Sequence, residues 1–227
     1  MLSLHFSPVA ASLFSTLAIL SLILTFVMLG SRWLKNYLYA FTLQSWLIAL
    51  LSAAVGYYAN VPELYLIALF TVFFRGVVLP YLLWRIIRRY HVDREIHEII
   101  RPSSALIIGA VLVIFALVVS RHIGVSLGAG SNSVVILALT VMLSIKLIGF
   151  LMLSIRHEAI SQILGLLILE NGIFLGSQIL VPEMPLLLEL VTVFDLLVAV
   201  SCFGVLVNYL MADIGSTSSL RLKRLRG

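Results

Sequence analysis

The stretch Gln162–Leu210, QILGLLILENGIFLGSQILVPEMPLLLELVTVFDLLVAVSCFGVLVNYL, decides how the chain is read. It holds two apolar spans on either side of the Pro182-Glu183 turn, each with a carboxylate near its middle: Glu170 and Asp195. A carboxylate at bilayer depth is costly, so such residues face a protein interior or an ion path rather than lipid. About a dozen residues separate each from the turn, and at a helical rise of ~1.5 Å per residue each lies roughly 18 Å from it, near the membrane midplane. The same distance back from Glu170, through the basic turn Arg156-His157-Glu158, reaches Lys146. Three successive spans therefore carry an ionisable group at similar depth.

The rest of the chain agrees with a membrane setting. Of its 227 residues 62% are hydrophobic and only 11% charged, and its mean hydropathy is +1.15, which excludes an ordinary soluble domain. The apolar pattern predicts an all-α polytopic bundle of seven transmembrane helices, at residues 8–30, 36–58, 63–87, 103–120, 133–155, 161–181 and 185–211. No water-soluble domain is left over. The chain divides into a four-helix membrane region over 1–132, a three-helix region over 133–212 and a basic tail over 213–227. The first span has neither a basic leading region nor a small-residue cleavage site and is expected to stay as structure.

Charge placement predicts orientation. Arg32 and Lys35 lie in the 1–2 turn; Arg85, Arg88, Arg89, Arg94 and Arg101 crowd the 3–4 loop; Arg156 follows the fifth span and Arg221, Lys223, Arg224 and Arg226 fill the tail. The alternate side has only Arg121. The positive-inside rule then puts the N-terminus outside and the C-terminus in the cytoplasm. Topology thus accounts for the net charge of +5 without nucleic acid. Trp33, Tyr37, Tyr57 and Tyr58 fall near span ends, where aromatic belts are expected. The single cysteine, Cys202, falls inside the last span, so neither a disulfide framework nor a cysteine-rich cluster site is expected.

The third span places Arg75 halfway along, with Gly76 and Pro80 just after it. Pro80 has no N–H, so the Gly76 carbonyl loses its helical partner and a kink is expected. The plain alternative is that Arg75 snorkels or makes a static interhelical pair. In the 3–4 loop His91 and His97 alternate with Asp93, Glu95 and Glu98, a pattern without the spacing of a metal site that reads as a charged, partner-facing surface. The 4–5 loop, RHIGVSLGAGSNS, is a flexible connection whose glycines match no phosphate-loop or dinucleotide fingerprint. The short turn after the fifth span makes the fifth and sixth antiparallel neighbours. On the sixth, Gly165, Gly172 and Gly176 fall within about 40° of one another, a face suited to close packing, while Glu170 and Ser177 share another. On the seventh, Thr192, Asp195 and Cys202 align, and Glu189 points elsewhere nearer the surface.

Arg75, Lys146, Glu170 and Asp195 thus make two cations and two anions at matched depth. They serve either as static ion pairs that set helix register or as a lateral line of groups able to exchange protons, with Lys146 as a shuttle and Arg75 as a fixed charge that tunes the field.

The run from Arg156 to Gly172, RHEAISQILGLLILENG, followed by Phe194-Asp195 in the next span, resembles the hydrogenase-4 component E family of membrane subunits. A basic residue before a V-x-L-P-type sequence also recurs in that family, here as Arg75 and Val78-Leu79-Pro80. The last three spans are similar to the K-type subunit of respiratory complex I and to the C subunit of multisubunit cation/proton antiporters. In the K-type subunit two neighbouring helices each carry a buried glutamate of the proton-transfer axis; Glu170 matches the first and Asp195 the second, with a shorter side chain. The resemblance implies a non-catalytic membrane-arm subunit of a complex I-like [NiFe]-hydrogenase or formate hydrogenlyase. It further implies no cofactor in this chain, with nickel–iron and iron–sulfur centres in partners, and antiporter-like membrane subunits and a hydrogenase module as neighbours in a prokaryotic cytoplasmic membrane. The alternatives are a subunit of a multisubunit cation/proton antiporter and, with less in its favour, a seven-helix light-driven pump or receptor. Retinal proteins carry their lysine on the last helix, where this chain has Asp195 instead.

Overall fold

A computed structural model describes residues 8–89, 100–126, 132–156 and 159–180. The described residues form helices and contain no β-strand. The helices are α1 (Pro8–Gly30), α2 (Leu34–Ala59), α3 (Glu63–Phe70), a π-helical segment (Thr71–Val78), α4 (Leu79–Arg89), α5 (Pro102–Ser126), α6 (Ser133–Ile155) and α7 (Ala159–Leu180). The α3–π–α4 run is one continuous helix. Five helical runs are long and apolar enough to span a membrane by length and composition: α1, α2, the α3–π–α4 run, α5 and α6. The expected seventh span, at 185–211, lies outside the described residues, as do the basic tail and the His91–His97 segment.

Local chemistry explains the helix ends. Asn60 closes α2 in the left-handed conformation, with φ of 60° and its N–H bonded to the Gly56 carbonyl, a cap that asparagine tolerates better than most residues. Pro102 opens α5, where a missing N–H costs nothing. The Asn132 side chain caps α6 by accepting from the Val134 N–H at 3.1 Å. Within the helices Ser21, Thr25, Ser45, Ser52 and Ser144 turn their hydroxyls back onto the carbonyl four residues earlier, which makes a buried hydroxyl tolerable in a lipid-embedded helix.

One core runs through both regions of the chain, from Ala10 and Phe14 on α1 to Phe174 and Leu175 on α7. Helix α2 sits centrally, packed against α1, α3, the π segment and α7. Helix α5 packs on α6 and α1 and presents Ile107, Val111, Ile114, Phe115 and Val118 outward, the pattern of a lipid-facing wall.

The glycine face acts as expected. A Cβ on Gly149 would lie 2.9 Å from the Leu169 nitrogen, one on Gly165 3.2 Å from the Leu153 nitrogen, and one on Gly172 3.0 Å from the Ile145 Cβ. As the α6 number falls the α7 number rises, so the two helices run antiparallel with their backbones in near contact.

Two expectations need correction and a third gains detail. At Pro80, the expected site of a kink, the hydrogen bonding of the third span widens into a π segment, the Leu79 N–H reaching the Phe74 carbonyl five residues back. The missing proline donor is absorbed by a shift of register within a continuous helix. The 4–5 loop is shorter than read, because α5 continues to Ser126: exposed Val125 extends the apolar wall, and the Ser126 hydroxyl bonds back to the His122 carbonyl. Tyr37 does not join the aromatic belt. Trp33, Tyr57 and Tyr58 are exposed, but Tyr37 is fully buried beneath Arg156.

Candidate functional site: a buried guanidinium in a polar cluster

Arg75 lies inside the π segment and is completely buried. Its Nη1 donates to Asn171 Oδ1 at 2.8 Å. The Asn171 amide donates in turn to Gln44 Oε1 at 3.1 Å, and Gln44 Nε2 donates to Thr25 Oγ1 at 2.9 Å and to the Ser21 carbonyl at 3.0 Å. The chain of bonds joins four elements: the π segment, α7, α2 and α1. The Asn171 amide, itself held by Gln44, helps to solvate the buried charge with protein dipoles in place of water that a bilayer does not supply.

Two further groups stand beside the guanidinium. The Phe174 ring sits with its centroid 5.1 Å from the guanidinium carbon, within cation–π range. Glu170, on the same helix and mostly buried at 14% exposure, brings Oε2 to 4.0 Å from Nη2. Short charge-assisted bonds run at about 2.7–2.9 Å, so this carboxylate stands in the field of Arg75 at the outer limit of an ion pair.

The π segment has its own support. Trp46 on α2 directs its indole N–H at the Gly76 carbonyl, 3.5 Å away. A Cβ on Gly76 would fall 2.6 Å from that indole nitrogen. Glycine is therefore required for tryptophan to approach the very backbone that Pro80 leaves short of a donor. Along the α2–α7 seam Gln178 Nε2 donates to Ser52 Oγ at 2.5 Å, two turns beyond the Asn171–Gln44 bond, so α2 and α7 run parallel with amides at a seven- to eight-residue repeat.

Of the four charges singled out in the sequence, Arg75 and Glu170 meet. Lys146 is half-buried on α6, its backbone nitrogen 3.2 Å from where a Cβ on Gly172 would lie. Among the described residues no carboxylate stands within 4.0 Å of its ammonium. Asp195, with Thr192, Cys202 and Glu189, lies outside the described residues.

Several participants were not singled out in the sequence: Asn171, Gln44, Thr25, Trp46 and Phe174. Asn171 stands inside the E-N-G run and Gln44 lies well inside an apolar span; a neutral amide at mid-depth signals the same need for a partner as a charge, at lower cost. Arg156 had a different assignment, as a charge of a cytoplasmic turn. It is 1% exposed, donates through Nη2 to the Met28 carbonyl at 3.0 Å and lies 4.9 Å from the Tyr37 ring centroid. Its own carbonyl accepts from Gln162 Nε2 at 3.0 Å. Arg156 thus fastens the α6–α7 turn to the end of α1.

No family model matches the chain, and no solved structure matches it. A similar protein is the uncharacterized protein Rv0085 of Mycobacterium tuberculosis (strain ATCC 25618 / H37Rv), 33% identical over 153 residues that cover 67% of this chain and 68% of that one. With a third of the residues shared over two thirds of both proteins, this membrane-type helical bundle belongs to the family of the mycobacterial protein Rv0085.

Proposed function

We propose that this chain is a non-catalytic membrane-arm subunit of a complex I-like membrane-bound hydrogenase, and that the Arg75–Glu170 centre is part of a proton or ion path through that arm. The observation that carries this reading is a fully buried guanidinium bonded at 2.8 Å to the neutral Asn171 and held at 4.0 Å from the Glu170 carboxylate. A pair built only to fix register is best made short and bidentate. Here Asn171 takes a 2.8 Å bond, and the Glu170 carboxylate lies 4.0 Å from Nη2, within the field of the cation. Arg75 acts as a permanent charge, since arginine does not lose its proton in proteins. Glu170 exchanges the proton, Lys146 on the adjoining helix is the next relay, and Asp195 on the last span extends the line.

The seven-span topology with the N-terminus outside, the prokaryotic cytoplasmic membrane and the antiporter-like and hydrogenase partners belong to the same proposal. Nickel–iron and iron–sulfur centres reside in those partners, because this chain contributes charges and no identified redox ligands.

Glu170→Gln in the assembled complex tests the path. The amide keeps shape and hydrogen bonding and removes the titratable proton, so co-purification with partners is retained and coupled proton movement is lost. Intact coupling in the assembled Glu170→Gln complex means a static pair. Recovery of the chain with antiporter subunits and no hydrogenase module moves the function to a cation/proton antiporter.

A further inference from the structure

Away from the buried cluster, where α4 leaves the bundle, the surface carries a concave site of a different character. Tyr81, Trp84, Arg85 and Arg88 line a cavity of about 440 Å³ on one side of α4. Trp84 gathers cations from two elements: the Arg88 guanidinium lies 4.8 Å from its ring centroid, and Lys35, from the first turn of α2, lies 5.9 Å away. Lys35 also stands 5.9 Å from the Tyr39 ring. Arg85 and Arg88 are exposed, and Tyr81 is 59% exposed.

The position of this group matters as much as its charge. Tyr81 and Trp84 come one to two turns after the buried Arg75 crossing, and Lys35 begins α2, so the cluster stands at the end of the bundle shared by the α1–α2 turn. Aromatic rings with a polar edge settle at the level of lipid headgroups. Arginine presents a planar fork of donors suited to phosphate oxygens, and basic pockets beside transmembrane helices on the cytoplasmic side suit anionic headgroups.

We propose that the groove formed by Lys35, Tyr81, Trp84, Arg85 and Arg88 is a binding site for the phosphodiester headgroup of an anionic phospholipid. Arg85 and Arg88 hold the phosphate oxygens, Lys35 contributes charge from α2, and Tyr81 and Trp84 pack against the glycerol and upper acyl region. The site is independent of the proton path: it stands or falls on lipid preference alone.

The test uses the full chain in vesicles of phosphatidylcholine containing a minor fraction of brominated phosphatidylglycerol or, in parallel, of brominated phosphatidylcholine, with bromine quenching of tryptophan fluorescence as the readout. The expected result is stronger quenching by the anionic lipid at equal mole fraction. Each basic residue near an anionic surface favours it about fivefold, so Arg85→Gln with Arg88→Gln weakens the preference by about twentyfold. Arg85→Lys with Arg88→Lys retains most of it. Equal quenching by the two lipids in the wild-type chain, which needs no variant to fold, overturns the proposal. So does a preference abolished by millimolar inorganic phosphate at constant ionic strength, since the groove is then a site for free phosphate.

Discussion

Asn171 illustrates how much a single neutral residue does in this bundle. It accepts from Arg75 through Oδ1 and donates to Gln44 through Nδ2, so it couples the buried cation to two further helices. Leucine fills a similar volume and supports neither bond. Asn171→Leu is therefore expected to lower stability by about 1–3 kcal/mol, the range for stranding buried polar groups, seen as a reduced unfolding temperature in mild detergent. Asn171→Asp keeps an acceptor for Arg75 and is expected to lose less. If Asn171→Leu unfolds with the wild-type chain, the amide bridge is not a structural element of the site. Arg156 and Tyr37 make the same point at the bundle's edge, where a residue of a turn and a residue of an aromatic belt are both interior because each covers the other.

At the scale of elements the α6–α7 pair is the most tightly specified. Glycines on both helices meet backbone atoms of the partner, Gly149 against Leu169 and Gly165 against Leu153. A side chain there meets main-chain atoms that cannot step aside as a side chain can: the Leu169 nitrogen and Gly165 oxygen at Gly149, the Leu153 nitrogen and Gly149 oxygen at Gly165. Gly165→Val is expected to cost about 1–3 kcal/mol through overpacking, whereas Gly30→Ala, whose added atom would meet only the Leu106 side chain at 3.5 Å, is expected to be close to neutral. Thermal unfolding of both variants in detergent makes the comparison; equal stability of the two removes the case for backbone contact in the seam. The π segment is the other element of note. It brings one widened turn to the position of Arg75, and such segments recur where function requires a side chain to be re-aimed.

For the whole molecule the decisive question is sidedness. Ser103 and Ser126 stand at the two ends of α5, both exposed, and a 25-residue helix of about 1.5 Å rise per residue spans the hydrocarbon core. In a Cys202→Ser background, cysteines placed singly at Ser103 and Ser126 are expected to react with impermeant maleimide from opposite sides, Ser103 from the cytoplasm. Labelling of both from one side removes α5 as a crossing and with it the proposed orientation.

Membrane character, the helical class and several helix limits were legible in the chain itself: the end of α1, both ends of α6 and the start of α3 match expectation to the residue, while α5 runs six residues past its expected end. Arg75 and Glu170 stood out for the same reason, since the cost of placing an apolar run in water or a charge in hydrocarbon belongs to each residue and its neighbours along the helix. Pairing was not legible. Four ionisable groups at one depth can meet in several ways, and the choice depends on which helices are adjacent and how each is rotated about its axis. Only the tertiary arrangement sets Arg75 against Asn171 and Glu170, leaves Lys146 on the far helix of the glycine seam, and draws Gln44, Thr25 and Trp46 into the cluster. Hydropathy reports how deep a residue lies; lateral packing decides what it touches there.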